Sequence, residues 1–487
     1  MNKHILDNIE PSNVLKYFEE ICSIPHGSRD TKRISDYLVN FAKERNLEFI
    51  QDASNNVIIK KAGQLGGEMA APIIIQGHMD MVCEKEEDCD IDFESEGLRL
   101  KIEDEFITAE GTTLGGDDGI AVAYALAVLD SSDIPHPPLE CVFTVDEEIG
   151  MLGAAALDMS QIKGRKLLNI DSEEEGYLLV SCAGGATVTL HVPVLRRGAQ
   201  GEKYILTVSG LMGGHSGVEI NKGRANASIV LGNVLKELSL ADDSLKIISV
   251  SGGLKDNAIP VKAEAVFVSK NIDAVKQATA EMNEELKEIF KNTDPNIKLD
   301  VFCYNSDTIQ FYPLDEMNNL QFIMCFGTMP FGVKSMSKDI DGLVQTSLNL
   351  GILTTSENEI TITYSVRSSV RSEKDQLIED LKLIAQSIGA TVEVTGDYPA
   401  WEYKKESELR DLMTSTYEEM YGKPMVVQAI HAGVECGIFS DALDGLDAVS
   451  FGPDILDIHT PKERLSIEST KRTWEYITKV LQKSCSL

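Results

Sequence analysis

Four stretches of this sequence place acids and imidazoles where short apolar runs end. Ile73-Ile74-Ile75 leads into Gly77-His78-Met79-Asp80, and Leu114 to Gly119 reads LGGDDG ahead of an apolar helical segment. Leu139 to Val145 ends in Asp146-Glu147-Glu148, and Leu167 to Ile170 ends in Asp171. In open α/β sheets, ligands collect beyond the carboxyl ends of strands. A period of two puts His78 and Asp80 on one face, so an imidazole and a carboxylate can lie side by side. Acids gathered this way repel one another and are costly to desolvate, so the pattern calls for a cation. Mixed imidazole and carboxylate donors favour Zn2+, with Mn2+ or Co2+ also suited. Two imidazoles and three carboxylates exceed the needs of one tetrahedral ion; a carboxylate shared by two ions about 3.5–4 Å apart would use them all.

Each piece also has a plain structural reading. A lone H-x-D is weak, Asp117 or Asp118 could be helix N-caps, and Glu147-Glu148 could be a solvated strand end. Their succession in order along the chain is hard to obtain from structural needs alone, and it favours a metal site.

The elements that must position these groups follow from apolar spacing. Pro11 to Ile24 and Asp30 to Arg45 read as helices and Asn56 to Lys60 as a strand. From Ala71, buried-type runs alternate with helical material such as Ile120 to Leu129, which predicts an α/β domain with a largely parallel sheet. Beyond Gly184 the order changes to strands at 186–193, 204–209, 246–251, 263–269 and 298–304, with helices at 225–238 and 273–291. A similar order recurs from Phe322, with an apolar run at 342–350, strands at 360–367 and 391–395 and a helix at 373–388. Helices at 406–421 and 467–481 then flank a Gly-containing loop, His431 to Gly437. The expected organisation is a catalytic domain of residues 1–183 and 399–487, with an inserted α+β domain, 184–398, of two related halves.

The 487 residues carry a formal charge of -33, with 43% hydrophobic and 25% charged residues. Length argues for more than one core. The acidic balance repels phosphate backbones and anionic lipid, so nucleic acid and membrane surfaces are not expected partners. No apolar stretch approaches the roughly 20 residues of a membrane span. Met1 to Glu10 lacks the basic and apolar regions of a secretory signal. Nine cysteines without a C-x-x-C pair suit free thiols in a reducing compartment, and the cytosol is the expected location.

The sequence resembles the co-catalytic two-zinc exopeptidases that include carnosinases and aminoacylases, and within them the bacterial aminoacyl-histidine dipeptidases. The resemblance rests on GHMD (77–80), LGGDDG (114–119), DEEIGMLGA (146–154), NIDSEEEG (169–176), GGHSG (213–217), HAGVECG (431–437) and DIHTPKE (457–463). It implies two divalent ions: His78 and Asp171 on one, Glu148 and His459 on the other, and Asp117 bridging them. It also implies Glu147 as general base, Asp80 orienting His78 by a hydrogen bond, and a cis peptide after Asp117. In the inserted lid, His215 would stabilise the oxyanion and Arg367 the substrate carboxylate, with Asn257 a further matching position. His431 and Glu435 are expected near the bound peptide. Relatives often dimerise through the lid, so the resemblance leaves two assemblies open: a homodimer through the lid, or one chain whose doubled halves replace such a pair.

The function these residues favour is hydrolysis of Xaa-His and other short peptides. The ions would activate a water, and Glu147 would accept its proton and return it to the departing amine. An aminoacylase acting on N-acyl amino acids could use the same metals. A non-catalytic metal-binding scaffold is the third alternative, and the presence of Glu147 argues against it.

Overall fold

The computed structural model describes residues 5–200, 202–304 and 310–486; residues 1–4 of the polar start lie outside the described residues. The chain divides into two compact units. One comprises Met1–Cys182, Tyr403–Ala429 and Val434–Leu487, the other Ala183–Glu402 and Ile430–Gly433.

The first unit is built on a mixed sheet whose strands run in the spatial order Glu48–Gln51, Val57–Lys61, Leu139–Thr144, Ile73–His78, Lys166–Asn169, Asp447–Ser450, Tyr177–Cys182 and Val426–Ile430. At its centre Ile73–His78 runs parallel to both Leu139–Thr144 and Lys166–Asn169, and the latter runs parallel to Asp447–Ser450. The pairings of Val57–Lys61 on one side and of Tyr177–Cys182 with Asp447–Ser450 on the other are antiparallel. Every residue of Ile73–His78 and of Leu139–Thr144 is buried, which explains why these strands read as continuous apolar runs rather than alternations. Helix Gly116–Asp130 is buried on all sides from Gly116 to Leu129 and packs against Ile73–His78 and helix Ser12–Cys22.

Two features of this unit escaped the apolar pattern. Asp447–Ser450 is only four residues long, yet it is the parallel neighbour of the strand that leads to Asp171. A small antiparallel sheet joins Leu100–Glu103, Phe106–Ala109, Arg464–Ser466 and Ile455–Leu456. Short strands supply too few periods to be told from loops.

The second unit is α+β. Its long sheet is antiparallel, in the order Lys298–Cys303, Lys203–Ser209, Ala263–Val268, Lys246–Gly252, Val344–Thr355, Glu359–Ser368, Gly184–Pro193 and Thr391–Tyr398. Strict alternation of burial along Lys203–Ser209 and Ala263–Val268 marks one covered and one open face. Helices Ala227–Ala241, Ile272–Ile289 and Arg371–Ser387 contribute Leu231, Val275 and Leu381 to the covered side. Gly184–Pro193, which opens the unit in sequence, pairs with Glu359–Ser368 and Thr391–Tyr398 at the far end of the sheet.

All nine cysteines are free, and no helix among the described residues is long and apolar enough to cross a membrane.

One buried polar pair ties the second unit's elements to the segment around Asn257. Asn226 caps helix Ala227–Ala241 by accepting from the N–H groups of Ser228 and Ile229, and its Nδ2 donates to Asn349 Oδ1 (3.1 Å) and Leu350 O (2.9 Å). Asn349, 1% exposed, in turn donates to the carbonyls of Asp256 and Ala258, both at 2.9 Å. Asn349→Ala removes the donor to the Asp256 and Ala258 carbonyls, and urea unfolding should show a loss of about 1–3 kcal/mol. A loss below about 0.5 kcal/mol, the size of an ordinary surface substitution, would mean that this pair does not hold the segment.

Candidate active site

The strand ends of the first unit bring His78, Asp117, Glu148, Asp171 and His459 together. His78 Nε2 lies 3.1 Å from Asp117 Oδ1 and 3.7 Å from Asp171 Oδ1. His459 Nε2 lies 3.1 Å from Asp117 Oδ2 and 2.9 Å from Glu148 Oε1. The two carboxylate oxygens of Asp117 thus face one imidazole each.

Local backbone geometry explains how each side chain gets there. His78 is the last residue of its strand, and its ring is held by Nδ1, which donates to the carbonyl of Asp80 at 2.9 Å. That leaves Nε2 for the centre. Gly115 (φ 67) turns the chain before the helix, and Asp117 (φ −83, ψ 105) and Asp118 (φ −118, ψ 30) are not helical. Neither carboxylate caps the helix: Asp117 faces the imidazoles, and Asp118 Oδ2 accepts from the backbone N–H of His78 at 3.2 Å. Gly77 makes that approach feasible, because a Cβ there would lie 2.6 Å from Asp118 Oδ2. The Asp117–Asp118 peptide is cis, as the resemblance implied. Asp146 (φ 56) follows the strand in the left-handed region, which bends the chain so that Glu147 and Glu148 need not alternate as in a strand. His459 (φ 59) is left-handed as well.

Asp80 meets His78 through two of its groups. The backbone carbonyl makes the hydrogen bond, whereas the Asp80 carboxylate stands 3.6 Å from Nδ1, beyond hydrogen-bonding distance. The carboxylate is occupied elsewhere, accepting from Ser28 Oγ at 2.8 Å and from the backbone N–H of Glu147 at 3.1 Å. Asp80 therefore links the His78 segment to the Glu147 segment. Ser28 lies 52 residues earlier in a loop and carried no signal of its own.

The electrostatics are lopsided. Among the described residues, only imidazoles pair with the carboxylates of Asp80, Asp117, Glu148 and Asp171; no Lys or Arg does so. Burial and the surrounding carboxylates push Asp171 up to about 7, and burial with Asp171, Glu435 and Glu148 nearby raises Glu147 well above the usual range. Burial raises Asp118 in the same way. Burial opposes ionisation of Asp117 too, but hydrogen bonds from His459 and His78 outweigh it and hold that carboxyl below the usual range. Hydrogen bonds to Asp117 and Glu148 push His459 up to about 10; His78 is raised against its burial by the carboxylates around it. Such a surplus of buried acid suits a bound cation. Three groups have ligand atoms within 4.8 Å of one another: His78 with Asp118 and Asp171, His78 with Glu147 and Glu148, and Asp117 with Glu148 and His459. Asp118 and Glu147, the latter expected as a base, are the two members outside the expected ligand set.

Glu435, expected near the bound peptide, is buried in the first unit. It is 0% exposed at the start of helix Cys436–Ala442, and its Oε2 accepts from Gln76 Nε2 (2.5 Å) and Thr144 Oγ1 (2.7 Å). Gln76 Oε1 accepts in turn from Asn169 Nδ2 at 2.6 Å, so one polar chain crosses three adjacent strands beneath their ends.

The remaining expected residues lie in the second unit. His215, on the short strand Gly214–His215, has its Nδ1 occupied by the N–H groups of Gly217 (3.1 Å) and Val218 (3.3 Å). The neutral ring therefore carries its proton on Nε2. Asn257 is bound to the next residue of that segment, its carbonyl accepting from the N–H of Ser216 at 2.9 Å. Arg367 donates to Tyr398 OH at 3.1 Å, and its Nε is buried without a hydrogen-bond partner. His431 pairs through Nε2 with Ser347 Oγ at 2.7 Å. Burial and the Arg367 charge lower the pKa of His215 and bring His431 down to about 3, so both rings are neutral.

Comparison with known proteins places this geometry. Residues 74–483 match the model of Peptidase family M20/M25/M40. The cytosol non-specific dipeptidase of Escherichia coli K12 is 35% identical over 481 residues, which cover 98% of each chain. The crystal structure of aminoacylhistidine dipeptidase from Vibrio alginolyticus superposes with a TM-score of 0.92 at 35% identity, covering 99% of this chain and 98% of that one. Aminopeptidase PepT from Bacillus cereus, at 17% identity and a TM-score of 0.57 over 98% of this chain and 99% of its own, shares the fold. With the family's model spanning both the His78 and His459 ends of the acidic centre, and full-length relatives at this identity, the chain belongs to peptidase family M20/M25/M40, a family of peptide hydrolases.

Proposed function

We propose that the chain is a cytosolic metallo-dipeptidase that cleaves short peptides, with Xaa-His dipeptides such as β-alanyl-histidine among its substrates. In this reading His78, Asp117, Glu148, Asp171 and His459 hold two divalent ions, with Asp117 shared. The observation that carries it is the placement of both imidazoles on opposite oxygens of Asp117, each at 3.1 Å, as a bridging carboxylate requires. The donor set suits Zn2+, and also Mn2+ or Co2+. When bound, such ions supply Lewis acidity to the attacking water and to the scissile carbonyl. Substrate class and compartment are supported by the two full-length relatives, one named a cytosol non-specific dipeptidase and the other an aminoacylhistidine dipeptidase.

Glu147 is the proposed general base. It takes a proton from the water and delivers it to the nitrogen of the departing amine. Its backbone N–H is fixed by Asp80, itself held by Ser28, which supports a set direction for the carboxylate. His215, with its proton on Nε2, is the proposed donor to the oxyanion. Arg367 is the proposed partner of the peptide carboxylate, with Asn257 and His431 as further contacts and the second unit acting as the lid. Glu435, the remaining residue expected near the peptide, braces Gln76 and Thr144 from beneath.

Glu147→Gln should lower kcat on β-alanyl-histidine by about 10²- to 10⁴-fold while two equivalents of metal are retained, as read by turnover and by metal analysis of the purified protein. Retained activity with lost metal would overturn the assignment of both residue and centre. Faster turnover of N-acetyl amino acids than of any dipeptide would replace the dipeptidase with an aminoacylase.

Metal uptake should displace protons. In the metal-free protein His459 holds its proton up to about 10 and Asp171 up to about 7, so lowering the pH favours the proton-loaded state and weakens metal affinity. Calorimetric titration of chelated protein with Zn2+, Mn2+ or Co2+ in buffers of different ionisation enthalpy measures the release directly. Uptake without proton release and without pH dependence would contradict these ligands.

A further inference from the structure

The segment Asp457–Glu463 supplies His459, but its last residue takes no part in the centre described above. Glu463 is 2% exposed. Its Oε2 accepts from the backbone N–H groups of Leu114 (2.7 Å) and Gly115 (3.1 Å), and its Oε1 from those of Gly116 (2.7 Å) and Asp117 (3.3 Å). Four consecutive amides thus converge on one carboxylate. The concavity they form depends on left-handed Gly115, and successive backbone N–H groups turned to one side in this way favour an anion.

Glu463 is itself secured at both of its backbone groups. Its N–H donates to Thr460 O at 3.1 Å, and its carbonyl accepts from Thr108 Oγ1 at 3.0 Å. Directly after it, Arg464–Ser466 pairs with Phe106–Thr108. One end of this strap is the turn that carries His459, and the other is the loop that carries Asp117. Among the described residues no ladder pairs 457–463 with 112–117 directly, and His459 Nε2 stands 3.1 Å from Asp117 Oδ2 across that gap.

We propose that Glu463 is a positioning residue: its carboxylate fixes the backbone of Leu114–Asp117 to the His459 turn and so sets the spacing of the bridging Asp117 within the metal pair. This rests on the metallopeptidase reading given above. Glutamine at this position keeps the shape but turns an NH2 toward amide donors, which cannot be satisfied. Because the group acts through a ligand and does not touch substrate, its loss falls on metal affinity and kcat more than on KM.

The test uses full-length protein, metal-free and loaded with Zn2+. Hydrogen exchange in the parent should show slow exchange at the amides of 114–117, two of which lie ahead of the helix. Glu463→Gln should speed that exchange, weaken Zn2+ binding and lower kcat about 10- to 100-fold, with KM for β-alanyl-histidine shifted by less than about threefold. Glu463→Asp, which keeps the charge on a shorter stem, should lie between the two. Fast exchange at these amides in the parent, needing no variant at all, overturns the proposal. So does a folded Glu463→Gln protein whose Zn2+ affinity and kcat stay within about twofold of the parent, even if its melting temperature falls. Either result leaves the peptidase reading standing; a parent that neither binds Zn2+ nor cleaves peptide removes both.

Discussion

Buried negative charge that outnumbers its basic partners among the described residues is the constraint around which the first unit is organised. Among the described residues, the imidazoles of His78 and His459 are what pair with the carboxylates gathered at the strand ends. In a poorly polarisable interior, like charges at such distances cannot all remain ionised unaided. The directions of the pKa shifts record this. Asp118, Glu147 and Asp171 are driven upward by burial and by one another, and the imidazoles hold their protons more tightly than free histidine does. A fold that keeps such a cluster suits divalent ions that replace those protons.

The rest of the unit keeps the cluster in register. Adjacent parallel strands end at the same level, so His78 and the segment leading to Asp171 emerge side by side. Polar groups below and around the ends limit how far each donor can move: the Asn169–Gln76–Glu435–Thr144 chain beneath, Asp80 between the His78 and Glu147 segments, and Asp118 behind the His78 backbone. Glu463 extends the same principle to the His459 turn. Donors that must share one centre are held by partners that are themselves held.

In the second unit the electrostatic problem is inverted. Arg367 lies in a half-buried setting with neutral His215 and His431, and its charge is one reason those rings stay neutral. The result is a set of hydrogen-bond donors around a guanidinium, which suits recognition of carboxylate or carbonyl oxygen. The two units therefore offer opposite chemistries, an acidic cluster that suits cations and a basic, donor-rich cluster that suits anions.

Much of this was legible in the residue order. Continuous apolar runs at Ile73–Ile75, Leu139–Val145 and Leu167–Ile170 announced strands covered on both faces, and the acids after them announced a cation site, because both follow from local pattern and charge. Short strands such as Asp447–Ser450 were not legible, since four residues hold no period that separates strand from loop. Three outcomes belonged to tertiary structure alone: that the Asp80 carbonyl accepts from His78, that Glu435 is buried under Gln76 and Thr144, and that Glu463 gathers four amides from 346 to 349 residues away. Each depends on which distant backbone arrives within about 3 Å, the reach of a hydrogen bond. Residue type and order decide what chemistry a segment can do; only the packed chain decides which partner each polar atom meets.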